Sequence, residues 1–141
     1  MMNTTTTATN KIEWTPKKVA SLEPVKKIAD LPFEVSIVLG LHDNGYSILS
    51  TTPGAFGEVI IKGYCPAISR KEKKAMKVVC IHNHPSFKSI DENSRVCCPS
   101  PVDILTYKTI RFQTRLRGFS FYDSIIVSRD NNYFSFRENK F

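Results

Sequence analysis

The chain of 141 residues contains no apolar run approaching the roughly 20 residues that a membrane-spanning helix needs. Its Thr-rich start lacks both a basic stretch and an apolar segment, which argues against a secretory signal and for a disordered tail over residues 1–14. The four cysteines, Cys65, Cys80, Cys97 and Cys98, show no CxxC spacing, and the adjacent Cys97–Cys98 pair is a poor disulfide framework. Reduced thiols in a cytoplasmic protein follow. No internal repeat or low-complexity linker divides the remainder, so residues 15–141 are expected to form a single domain. At this length about two-thirds of the unfolded surface is buried on folding, enough for a sizeable core. Hydrophobic residues make up 41% and charged residues 23%, the balance of an ordinary globular protein.

The net charge of +7 is concentrated at Lys17-Lys18, Lys26-Lys27 and Arg70-Lys71-Glu72-Lys73-Lys74. This permits weak nucleic-acid contact or an acidic protein partner. Aromatic residues do not interleave with these clusters as a base-stacking platform requires, and lysines on exposed helix faces are usually only solvated.

Residues 15–30 read as a short basic helix limited by Pro16 and Pro24. Glu34 to Leu41 reads as a mostly buried strand, Asp43-Asn44-Gly45 as a turn, and Tyr46 to Ser50 as its hairpin partner. A further strand is expected over 57–62. Ser69-Arg70-Lys71-Glu72 has the form of a capping box and predicts a helix over about 70 to 77. Val78-Val79-Cys80-Ile81 leads as a strand into His82 and His84. Ser100-Pro101-Val102-Asp103 opens a second helix, on which Leu105, Thr109, Phe112 and Leu116 form one apolar face, and Gly118 ends it. Two strands, Phe119 to Val127 and Tyr133 to Phe136, finish the chain. An α/β or α+β fold with a mixed sheet flanked by helices is the expectation.

Side chains two apart on a strand share a face, so His82 and His84 can hold one metal ion. Imidazole suits zinc, and a catalytic zinc site takes three protein ligands and leaves a fourth position open. Asp103 is the natural third ligand, because a helix N-terminus stabilises an anion. Such a site also needs a general base, commonly a carboxylate.

His82-Asn83-His84-Pro85-Ser86, Pro99-Ser100-x-x-Asp103 and the closing Tyr122-Asp123-Ser124-Ile125-Ile126-Val127 with Tyr133-Phe134-Ser135-Phe136 resemble the RadC branch of the JAB/MPN (JAMM) metalloprotease superfamily. The resemblance runs over about residues 30 to 138 and implies a cytidine deaminase-like JAB/MPN fold. It makes His82, His84 and Asp103 the ligands of one Zn2+ per chain. Glu34 corresponds to the general base on the first core strand, and Ser100 to the serine that stabilises the tetrahedral oxyanion; as a helix N-cap, Ser100 also has a sufficient structural role. Glu58 and Glu72 compete for the base assignment, although the capping box accounts for Glu72. The implied activity is zinc-dependent hydrolysis of a peptide or isopeptide bond, with peptide or protein substrates, ubiquitin-like proteins among them. The alternative is a catalytically inactive JAB/MPN-like interaction module associated with DNA repair or mobile-element DNA.

Several positions depart from the family pattern. The 18 residues between His84 and Asp103 form a longer interval than usual, introducing Asp91 and Cys97/Cys98 as rival third ligands. Phe87 replaces a glycine, and Ser124 stands where the family has a histidine.

Overall fold

A computed structural model describes residues 11–54, 70–85, 99–129 and 132–141. The elements are α1 (Pro16–Ala20), α2 (Glu23–Ala29), β1 (Val35–His42), β2 (Gly45–Pro53), α3 (Arg70–Ala75), β3 (Lys77–Asn83), α4 (Pro101–Leu116), β4 (Ser120–Val127) and β5 (Tyr133–Ser135). The expected strand over 57–62 and the Ser69 cap lie outside the described residues. Among the described residues, no helix is long and apolar enough to cross a membrane.

The strands form one mixed sheet in the order β2-β1-β3-β4-β5. β3 and β4 run parallel, which requires the crossover that α4 supplies, and the other neighbours are antiparallel. β1 and β3 are central and nearly continuously buried, as strands covered on both faces must be. The Asp43–Asn44 loop closes the β1–β2 hairpin, with His42 paired to Gly45.

One face of the sheet presents Ile37, Leu39, Val79, Ile81 and Ile125 to Val19, Val25 and Ile28 of the two N-terminal helices. These replace the single helix expected over 15–30. Thr15 caps α1 by accepting from the Lys18 N–H, and Pro24 in the first turn of α2 starts a new helix after a break at Ser21-Leu22. Ahead of α1, Trp14 Nε1 donates to the His42 carbonyl at 2.7 Å.

The opposite face buries Val38, Val78 and Cys80 against Met76, Ile110 and Phe119, and Ile126 against Tyr107 and Phe136. Tyr107 stacks on Phe136 with ring centroids 4.3 Å apart. Burial pushes the Cys80 thiol up to about 12, so it is an apolar filler rather than a nucleophile.

The orientation of α4 corrects one expectation. Its buried residues are Tyr107, Ile110 and Thr114. Leu105, Phe112 and Leu116 lie in solvent, and Thr109 is only partly covered. Asp103, Tyr107, Ile110 and Thr114 share a helical face by their spacing, and this is the face that meets the sheet.

Candidate metal centre

His82 and His84 stand at the C-terminal end of β3, and Asp103 stands in the first turn of α4, the helix that follows β3. The three offer ligand atoms that all lie within 4.8 Å of one another. His82 Nε2 is 3.3 Å from Asp103 Oδ1, and His84 Nε2 is 3.2 Å from Asp103 Oδ2. The imidazole rings are tilted at 59° with centroids 5.2 Å apart. Ligand atoms placed ~2.0–2.1 Å from a tetrahedral zinc are separated by roughly 3.3 Å, and both His–Asp contacts have that separation.

The atom that best tests the fit is His82 Nε2. It is buried and has no hydrogen-bond partner, although it points at a carboxylate. Its 3.3 Å contact with Asp103 Oδ1 falls short of hydrogen-bond geometry, and a coordinated ion would satisfy both atoms. His/His/Asp is a donor set that suits zinc, and the chain's residues therefore fit the ion.

Each ligand is fixed independently of any metal. The His84 N–H donates to the Val127 carbonyl at 2.9 Å, prolonging the β3–β4 ladder past Asn83. Asp103 belongs to a capping box: its Oδ2 accepts from the Ser100 N–H at 2.8 Å, and its own N–H donates to Ser100 Oγ at 3.1 Å. Partial burial disfavours the Asp103 anion, but the two imidazoles and the Ser100 N–H outweigh it and hold the carboxyl well below the usual carboxylate range. An ionised carboxylate is the form that binds a cation.

A scan against protein-family models matches residues 66–141 to the RadC-like JAB domain. The chain belongs to the RadC-like JAB family. Among curated proteins, no match was found. In this RadC-like JAB domain the two histidines of the His-Asn-His segment and the aspartate of Ser-x-x-Asp are brought together as their spacing led one to expect.

Ser100 is exposed at the N-cap. Its bond from Asp103 uses an acceptor lone pair, so its own O–H proton is left for another acceptor. Glu34 precedes β1 and is exposed; its carbonyl accepts from the Gly54 N–H. β1 pairs Ser36 with His82. That pair ends the β1–β3 ladder, and Glu34 lies two residues before it, just ahead of β1. Glu72, the competing carboxylate, lies on α3. Glu58, Asp91, Cys97 and Cys98 lie outside the described residues.

Asn83 is the residue that pattern reading passed over. Lying between the histidines, it points to the opposite face and is fully buried. Its Oδ1 accepts from the Val35 N–H at 2.7 Å, and its Nδ2 donates to the Ile28 and Phe33 carbonyls at 2.8 and 3.0 Å. One side chain thus ties the end of α2 and both neighbours of Glu34 to the histidine strand. The signal was present in the alternation: an Asn on the face of Val79 and Ile81 must find partners in the core.

Proposed function

We propose that this RadC-like JAB domain is a zinc-dependent hydrolase of the JAMM type that cleaves a peptide or isopeptide bond. The observation that carries the reading is the convergence of His82 Nε2 and His84 Nε2 on the one ionised carboxylate of Asp103, with the three ligand atoms within 4.8 Å of one another. Zinc held by His82, His84 and Asp103 would supply Lewis acidity to a scissile carbonyl and to a water molecule beside it. Glu34, just ahead of β1, takes the proton of the attacking water and returns it to the leaving amine. The Ser100 O–H donates to the oxyanion of the tetrahedral intermediate, its orientation set by the bond it accepts from Asp103. Asn83 positions Glu34 through the backbone on either side of it.

A second reading has one observation in its favour. Both histidines touch Asp103 directly, so the trio can pin α4 to β3 without a metal, as it would in an inactive interaction module. Elemental mass spectrometry of the purified chain separates the two. The enzyme reading expects about one zinc per chain, lost in His82→Ala and in Asp103→Ala. Glu34→Gln should keep the zinc and abolish cleavage across a panel of peptide and isopeptide substrates. Absence of zinc after reconstitution would leave the interaction module.

A further inference from the structure

The solvent face of α4 is apolar. Val102, Leu105, Phe112 and Leu116 are 63%, 65%, 65% and 68% exposed. With Thr109 they follow one another at intervals of three, four, three and four residues, the a/d spacing that a second helix reads along a seam. Thr109 does not interrupt the stripe with an unpaired hydroxyl, because its Oγ1 donates to the Leu105 carbonyl at 3.0 Å. The stripe is about 21 Å long at 1.5 Å per residue. Four such side chains on a single helix exceed the scattered exposure normal for a globular surface.

Charge selects the occupant. The single carboxylate of α4 is Asp103, which is engaged by the histidines, whereas Lys108 and Arg115 are exposed along one flank of the stripe. Among the described residues, neither has an acidic partner. Arg111, one turn around, is held by the Tyr107 hydroxyl at 2.9 Å. A second copy of this chain matches the stripe poorly. Antiparallel pairing of two α4 helices sets Lys108 against Arg115, and parallel pairing faces these cations with the uncharged Thr106 and Gln113. The four side chains also offer only roughly 300–400 Å² of exposed apolar surface, at most half of the ~800 Å² per partner in a stable interface.

We propose that α4 is a docking surface for an amphipathic helix of another protein, apolar along its a/d seam and bearing Glu or Asp opposite Lys108 and Arg115. The probe is a fluorescein-labelled 18-residue helical peptide with Leu at a and d and Glu at e and g. Its control carries Lys at e and g. Fluorescence anisotropy should show micromolar binding of the Glu-flanked peptide, at least ~10-fold tighter than the control. Leu105→Ser combined with Phe112→Ser should abolish binding, and Lys108→Glu with Arg115→Glu should reverse the preference. Equal affinity for the two peptides, or no binding of either, overturns the proposal. So does a dimer in sedimentation equilibrium that the Leu105→Ser/Phe112→Ser variant dissolves, since a second copy then covers the stripe. The same variant should melt with the parent; a fall of about 10 °C would mean that the chain covers the stripe itself and would also overturn the proposal.

Discussion

Replacing Asn83 by Ala removes three hydrogen bonds of 2.7, 2.8 and 3.0 Å from a fully buried side chain. It strands the Val35 N–H, while the Ile28 carbonyl keeps its bond from the Leu31 N–H. Phe33 is exposed, so water can reach its carbonyl, and the loss there is small. A buried group left without a partner costs ~1–3 kcal/mol. For a domain of this size that corresponds to a fall in Tm of roughly 3–9 °C. The histidines should stay in place, because the β1–β3 and β3–β4 ladders and the His84 bond to Val127 hold them without Asn83. The expected phenotype is therefore split: zinc retained, the Val35 amide losing its protection against hydrogen exchange, and cleavage reduced because Glu34 is no longer held. Asn83→Asp keeps the acceptor for Val35 but turns a carboxylate toward two carbonyls, so it should be at least as damaging at neutral pH and milder in acid. An Asn83→Ala protein that melts within 2 °C of the parent and keeps the Val35 amide protected would refute the positioning role.

Burial holds the Asp123 carboxyl up to about 6, despite bonds from the Ser135 hydroxyl and the Arg137 and Ser124 N–H groups. The folded chain thus binds this proton more tightly than the unfolded chain, whose carboxyl titrates near ~3.9. The Asp123 contribution to stability falls as pH rises from ~4 to ~6, by on the order of 3 kcal/mol, and denaturant titrations of Asp123→Asn should lack that slope. Gly118 ends α4 with φ +91°, and a Cβ there would meet only Lys73 Cδ at an ordinary 3.6 Å. Gly118→Ala should accordingly cost about 1–2 kcal/mol in urea unfolding from backbone strain alone. Chelation should abolish hydrolysis while leaving the far-ultraviolet circular dichroism unchanged, because the ladders and the capping box hold the ligands without metal. Zinc restored at about a hundredfold its Kd should raise stability by about 2.7 kcal/mol; collapse of the spectrum on chelation would show that the site instead folds on its metal.

The parts of the fold legible in the sequence are those governed by local chemistry. Asn44-Gly45 marks the β1–β2 turn, the apolar run from Val78 marks a central strand, and Ser100-Pro101 marks the start of α4. His82 and His84 follow from strand alternation, and Asp103 follows from the helix start. What local reading left out depends on pairs of segments distant in the chain. The β1–β3 pairing joins Ser36 to His82, and the partners of Asn83 are 48 to 55 residues away. The N-terminal helix divides in two because Pro24 starts a helix as readily as it ends one.

The rotation of α4 is the instructive failure. Its sequence carries two candidate faces, one of Leu105, Thr109, Phe112 and Leu116 and one of Asp103, Tyr107, Ile110 and Thr114. By hydrophobicity alone the first is the better core face. The second nevertheless meets the sheet, and on it Asp103 reaches His82 and His84. Tyr107 then finds Phe136, Ile110 enters the cluster of Val38 and Val78, and Thr114 is buried beside them in the helix. The two faces lie on opposite sides of the helix, so no rotation satisfies both. With Asp103 at the histidines and Tyr107 and Ile110 in the core, Leu105, Phe112 and Leu116 are left in solvent.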